Sequence, residues 1–103
     1  MAERKVPLSW WLFFAEGAAA RRCAAALERH DFLTLCEYRP DVVHRPERWL
    51  VRAARSFAPG RYAEERRLVR ECVDACGGDC EGWDSGWLHD LEDWLSFEAA
   101  VAG

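Results

Sequence analysis

The sequence predicts an α+β domain of the ferredoxin-like class, in which a β-α-β-β-α-β order forms a four-stranded antiparallel sheet with both helices on one face. Three observations lead to this class. Short aromatic or β-branched runs alternate with two longer runs of helical periodicity, the first run is apolar on both faces, and a Gly-Gly pair ends the second helical run. We expect one domain over residues 1–103, with its core at about 9–88 and a short helical tail at about 89–103.

The first predicted strand is "SWWLFFA" at 9–15. It places Trp10 and Phe14 on one face and Trp11 and Phe13 on the other, so we expect it to be central in the sheet. One of these aromatic pairs must then lie on the sheet face away from the helices. Because a monomer rarely exposes so large an apolar patch, we expect the C-terminal helix, or a second copy of the chain in a homodimer, to cover it.

A helix and a second strand follow. "EGAAARRCAAALERHD" (16–31) combines an apolar stripe with arginines on the other side, which is typical of a helix packed on a sheet. That stripe consists of Ala20, Cys23, Ala24 and Leu27. "FLTLCEYR" (32–39) stops at a proline and predicts a strand, and "PDVVHRPE" (40–47), with two prolines, predicts a loop.

The second half repeats the pattern. In "RWLVRAARSF" (48–57) apolar residues alternate, which favours a third strand, although its arginines also suit a helix. "YAEERRLVRECVDAC" (62–76) is predicted as a helix whose buried stripe ends at Cys76. A fourth strand begins at "DCEGWDSGW" (79–87), and the tail "HDLEDWLSFEAAVA" (89–102) has helical spacing.

The charges are divided unequally along the chain. Residues 1–70 contain all 14 lysines and arginines and 9 acids, a net of +5, whereas residues 71–103 contain 9 acids and no lysine or arginine. Folding is expected to bring the two parts together and neutralise them in part. The purely acidic end disfavours nucleic acid as a partner, and the longest apolar run is too short to span a membrane. We interpret the apolar N-terminal patch as structure and not as a targeting segment.

The cysteines and histidines carry no known catalytic or metal-binding spacing. Five cysteines are an odd number and include no C-x-x-C pair, which argues against a disulfide framework and a common zinc site. We therefore expect reduced thiols in the cytoplasm, with no metal and no cofactor. His89 beside Asp90 is a candidate oriented base, but no nucleophile or cofactor motif accompanies it. The sequence thus predicts a protein that is not an enzyme.

One short motif resembles a known family. The run "GGDCEGW" (77–83) is similar to the "GGEYDGW" signature of the ribonuclease E inhibitor family called regulator of ribonuclease activity B, with Cys80 at the tyrosine position and Glu81 at the aspartate position. The resemblance implies a ferredoxin-like fold and a cytoplasmic protein. It also implies a regulator that binds an RNA-degrading endonuclease and restrains it, without cutting or binding RNA itself.

The motif has a structural and a functional interpretation. In the structural one, Gly77 and Gly78 adopt positive φ at the helix end, Gly82 forms a bulge or permits close backbone approach, and Trp83 fills the core beside it. In the functional one, acidic and aromatic side chains form a patch that binds a basic protein. The candidate residues of this patch are Glu81, Trp83, Asp84, Trp87, Asp90, Glu92 and Asp93.

Two further classes remain open. An antitoxin or immunity protein would use the same acidic end to neutralise a basic toxin. A small dimeric ferredoxin-like protein that binds a ligand or acts as an enzyme would instead use a pocket between the sheet and the helices, an alternative that rests on fold analogy alone.

Overall fold

The computed structural model describes residues 5–84 of the chain. It is an α+β domain with a four-stranded antiparallel sheet and two helices, as the sequence predicts. The elements in chain order are β1 (Val6–Phe14), α1 (Gly17–Glu28), β2 (Leu33–Tyr38), β3 (Trp49–Phe57), a 3-10 turn (Pro59–Arg61), α2 (Tyr62–Ala75) and β4 (Asp79–Asp84). The predicted C-terminal helix lies outside the described residues. Within these residues, neither helix is long and apolar enough to cross a membrane.

The sheet has the strand order β2-β3-β1-β4, and every neighbouring pair is antiparallel. The prediction that the first strand is central is confirmed, because β1 pairs with β3 on one side and β4 on the other. β1 begins earlier than predicted and includes Pro7. That proline is tolerated because, among the described residues, β4 pairs with β1 only from Ser9 onward and Pro7 has one strand partner, Ser56.

The segment at 48–57, whose arginines also suited a helix, is the strand β3. It pairs with β1 along nine residues and with β2 along six, and this double pairing outweighs local helix propensity. The β1–β3 register places Ala53 beside Trp10 and Arg52 beside Trp11. Because successive side chains of a strand alternate between faces, the arginine lies on one face of the sheet and the alanine on the other.

One hydrophobic cluster holds the helices to the sheet. Its strand residues are every second residue of β1 and β3. We call the side of the sheet to which these residues point the helix face, and the opposite side the open face. Both helices contribute their predicted stripes to this cluster, with Leu68, Cys72 and Cys76 of α2 only partly buried. The cluster contains Trp10, Leu12, Phe14, Ala19, Ala20, Cys23, Ala24, Leu27, Phe32, Val51, Ala53, Val69 and Val73.

The Gly-Gly pair ends α2, but its two glycines have different roles. Gly77 has the predicted positive φ, at +71°. The prediction of positive φ is wrong for Gly78, which is absent from the positive-φ residues of the described chain. A Cβ atom at Gly78 would lie 2.2 Å from the ring of Phe14. Gly78 is therefore required by close approach to the core, and its N–H donates to the carbonyl of Val73 at 3.0 Å to close the helix end.

Candidate functional site

The candidate site forms on β4. A β-bulge in this strand interrupts the regular alternation of its side chains between the two faces of the sheet. Gly82 lies opposite Trp11 and Cys80 lies opposite Leu12, so Glu81 is the additional residue of the bulge. Gly82 has φ of +144°, a conformation that favours glycine. The prediction of a bulge at Gly82 is confirmed.

The bulge brings two acids onto one face. Asp79 pairs with Phe13 and Asp84 pairs with Ser9, both of which lie on the open face of β1. Asp79 and Asp84 are five positions apart, so regular alternation would place them on opposite faces. The extra residue at Glu81 shifts this alternation by one position, so that Asp79 and Asp84 point to the same face. Both ends of β4 consequently present a carboxylate to the open face.

Asp84 holds an arginine against an indole ring. The Nε1–H of Trp11 donates to Oδ2 of Asp84 at 2.6 Å, and Nη2 of Arg52 donates to the same oxygen at 3.1 Å. Nη2 of Arg52 also donates to Oγ of Ser9 at 2.7 Å. The guanidinium carbon lies 4.1 Å from the ring centroid of Trp11, within the range of a cation–π interaction.

Asp79 holds a second arginine in the same manner. The guanidinium carbon of Arg45, from the loop between β2 and β3, lies 4.7 Å from the ring centroid of Phe13, and its Nη2 donates to Asp79. Burial alone would lower the pKa of Arg45, but the bond to Asp79 and the charges of Glu47 and Glu81 raise it above its ordinary value. Arg45 therefore stays charged over the ring.

We call this arrangement the arginine layer: Arg45 and Arg52 over Phe13 and Trp11, held by Asp79 and Asp84. Its cations lie over Phe13 and Trp11, the aromatic pair that the sequence predicts a helical tail or a second copy to cover. That tail lies outside the described residues, so its part in the cover stays a prediction. Phe13 is buried under Arg45, and the neighbouring Leu50 is also buried. Aromatic rings on the open face are thus covered by cations whose counterions come from the acidic part of the chain.

Trp83 lies on the other side of the sheet, opposite Trp10. It packs against the core cluster, and its Nε1–H donates to the hydroxyl of Tyr62 at 2.8 Å. The two rings meet edge to face, with an interplanar angle of 73°. These contacts support the structural interpretation of Trp83, in which the ring joins β4 to α2.

Three of the predicted site residues line one cleft of about 410 Å³. Glu81, Trp83 and Asp84 share it with Trp11, His44 and Gly82. Nε2 of His44 lies 3.1 Å from Oε2 of Glu81, and both side chains are accessible, His44 by 62% and Glu81 by 38%. The cleft therefore combines indole edges with two carboxylates at the surface. The other predicted site residues, Trp87, Asp90, Glu92 and Asp93, lie outside the described residues, as does His89.

Sequence reasoning missed the cations of this site. It assigned Arg52 to the third strand but did not connect it with Trp11, because the register between β1 and β3 was unknown. Arg45 and His44 were assigned to a loop between two prolines and given no partner. The only available signal was the charge division itself, which required acids late in the chain to meet basic residues earlier in it.

The cysteines are free in the structure. Burial, followed by neighbouring Cys76 and Cys72, raises the pKa of Cys23 to about 12, so its thiolate is strongly disfavoured. Burial also raises the pKa of Cys80, the residue at the tyrosine position of the motif. Within residues 5–84, no group of three or more His, Cys, Asp or Glu side chains is arranged to hold a metal ion.

Comparison with other proteins identifies no relative: no protein-family model, curated protein or solved structure matches the chain. What the site does must therefore be argued from its own geometry. That geometry consists of a cleft at a bulged edge strand, with exposed carboxylates beside indole rings and with internal cations already bound to them.

Proposed function

We propose that the chain is a ferredoxin-like domain that resembles inhibitors of ribonuclease E and has a non-catalytic regulatory role, in which it binds a basic surface of a protein partner. The order of the strands and helices supports the ferredoxin-like class, since strands β1 and β3 are adjacent in the middle of the sheet and β2 and β4 lie outside them. The core cluster supports the placement of both helices on one face, because it contains residues of α1, α2 and alternate positions of β1.

The observation that carries the proposal is the cleft with Glu81 and Asp84 at its surface. An arginine or lysine of a partner would find a carboxylate and an indole edge together, the combination that already holds Arg52 within this chain. The arginine layer is in effect an intramolecular example of the recognition that we propose for the partner.

Glu81 is the carboxylate best suited to exchange its cation. Its nearest partner, His44, is the most exposed of the basic side chains paired with β4, whereas Arg45 and Arg52 are partly enclosed over rings. A guanidinium from a partner would replace the imidazole and gain a bidentate geometry that histidine lacks. Asp84, which holds Trp11 and Arg52 together, would shape the cleft and add to its negative potential.

The test is binding of the full chain to purified ribonuclease E, with RNA cleavage as the activity measurement. We expect binding that weakens with salt and slows cleavage. Glu81→Gln should weaken binding by up to about fivefold at low salt, because an exposed ion pair contributes roughly 0.2–1 kcal/mol. Glu64→Gln is the matched control, since Glu64, on α2, forms an exposed pair with Arg61 of the 3-10 turn and neither residue lines the cleft.

Other results would assign a different class. Absence of binding to the nuclease, together with tight binding of a basic toxin that is lost in Glu81→Gln, would indicate an immunity protein. Turnover of a small molecule by the pure chain would indicate an enzyme. Equal binding by Glu81→Gln and Glu64→Gln would show that the cleft is not the contact surface.

A further inference from the structure

The exposed apolar side chains of the described residues are concentrated in one place. The large hydrophobic residues with high exposure are Leu33, Leu35, Tyr38 and Val43, all of which belong to β2 or the loop that follows it. Leu33 is 74% exposed and Leu35 is 53% exposed. Both lie on the open face, opposite Ala54 and Arg52 of β3. Arg52 directs its guanidinium toward Ser9 and Asp84, on the β1 side of β3. The arginine layer therefore leaves Leu33 and Leu35 exposed.

β2 is also an edge strand, because within residues 5–84 it pairs with β3 alone. Proteins usually protect such an edge with proline, inward-pointing charges or a bulge. β2 has a continuous register with β3 from Leu33 to Tyr38, with no shift, and its one charged residue is Glu37 near the end. Its outer N–H and C=O groups can therefore accept another strand.

We propose that a second copy of this chain adds to β2 as an antiparallel strand, with Thr34 of the two copies facing each other across a two-fold axis. In this register Leu33 of each copy lies directly opposite Leu35 of the other, and the strand is complementary to itself. Two neighbouring registers keep the same faces aligned, one with Leu35 and one with Leu33 on the axis. The first would place Leu33 opposite Glu37 and the second Leu35 opposite Asp31, so each removes one of the two leucine contacts per copy.

The dimer has a defined effect on the candidate site. The two sheets join into one of eight strands, ordered from β4 of one copy through the paired β2 strands to β4 of the other. The two clefts then lie at opposite edges, roughly 34 Å apart at about 4.8 Å per strand. A partner with two basic segments would be bound at both clefts, and its overall affinity would increase because the second binding event is intramolecular. The dimer itself does not depend on the proposed function.

The charges near the two-fold axis predict whether a charge change strengthens or weakens the dimer. The hydroxyl of Thr34 donates to the carboxylate of Glu28 at the end of α1. With Thr34 on the axis, the Glu28 carboxylates of the two copies approach each other and repel. Glu28→Gln should therefore strengthen the dimer, and salt should strengthen the unmodified dimer as well.

The first experiment measures mass against concentration, by sedimentation equilibrium of the full chain with a reducing agent present. We expect a monomer–dimer equilibrium. Leu35→Lys should raise the dissociation constant at least about tenfold, because burial of a leucine is lost and two cations are placed at the contact. Val43→Lys is the matched control, because Val43 is 92% exposed but lies outside β2. The dimer dissociation constant of this variant should equal that of the unmodified chain.

The second experiment tests the register and does not require loss of binding. In a Cys36→Ser background, Thr34→Cys should form an intermolecular disulfide with mild oxidant, whereas Leu35→Cys should form much less; Cys36→Ser alone is the control for the other thiols.

A chain that stays monomeric at about 100 µM, well above a micromolar constant, would overturn the proposal. So would a dimer unaffected by Leu35→Lys, and cross-linking through Leu35→Cys in place of Thr34→Cys would overturn the register.

Discussion

Phe13 and Phe14 are neighbours on β1 and are almost completely buried, yet they are buried by different means. Phe14 points to the helix face and belongs to the apolar cluster, where it lies so close to the chain that Gly78 cannot carry a side chain. Phe13 points to the open face and lies beneath the guanidinium of Arg45. The same residue type is thus covered by hydrocarbon on one side of the sheet and by a held cation on the other.

This difference shows that, within residues 5–84, held arginines lie over aromatic rings on the sheet face away from the helices. Each arginine supplies an apolar stem and a charged end, and a carboxylate from β4 fixes that end over the ring. The stability of the helix face depends mainly on area removed from water. The stability of the arginine layer depends on charge, so salt should weaken it more.

The largest effect is expected on the helix face. Phe14→Ala should lower the free energy of unfolding by about 3–5 kcal/mol, because it removes a buried ring and leaves a cavity in the cluster. The loss should be nearly the same in low and high salt, since no ion pair is involved. Urea denaturation at two salt concentrations provides the measurement, and a loss that shrinks strongly with salt would contradict the apolar description of this face.

An intermediate effect is expected at the ion pair of Arg55 and Glu65, which joins β3 to α2. Nε of Arg55 donates to Oε2 of Glu65 at 2.7 Å, and Glu65 is only 4% exposed. The hydrogen bond that Arg55 donates to Glu65, together with the charge of that carboxylate, raises the pKa of Arg55 above its ordinary value despite burial. Arg55→Met should cost about 3 kcal/mol, because it leaves a buried carboxylate without its cation.

The double variant Arg55→Met, Glu65→Gln is the control for that interpretation. It removes the stranded charge and should recover part of the lost stability. Equal stability of the single and double variants would show that the arginine acts through its contact with the ring of Phe32, 4.4 Å away, and not through the ion pair.

The smallest effect is expected in the arginine layer. Arg52→Ala should cost about 1 kcal/mol, because the cation–π contact and the bond to Asp84 are partly exposed and screened. In 0.5 M salt the cost should fall, in contrast to Phe14→Ala. Arg61→Ala, at a more exposed pair with Glu64, should cost less than Arg52→Ala in urea denaturation at low salt. A cost independent of salt would mean that Arg52 acts only through its hydrocarbon stem.

Much of the fold was accessible from local patterns. The apolar stripes of α1 and α2 and the two apolar faces of β1 each identify an element, because burial imposes a period of 3.6 or 2 on the residues. The bulge at Gly82 was also accessible, since a glycine inside a strand is costly without a backbone reason. The beginning of β1 was not, because whether Pro7 can pair depends on where β4 ends.

The candidate site was predicted only in part. The acids of β4 and Trp83 were identified as a group, and Glu81, Trp83 and Asp84 do line one cleft. The sequence did not show that their side chains reach it from different faces of the sheet. The bulge places Asp79 and Asp84 on the open face and Trp83 on the helix face. The cations that meet those acids come from β3 and from the loop before it, 32 or more positions away in the chain.

The sequence by itself determined the α+β class, the identity of the apolar stripes, and an acidic end that requires basic partners. These properties follow from residue type and local spacing. Only the tertiary structure decided which basic residues those partners are and which aromatic pair faces the helices. Both depend on strand register and on one extra residue at Glu81, and register is set by the simultaneous pairing of four strands, which no local stretch of the chain contains.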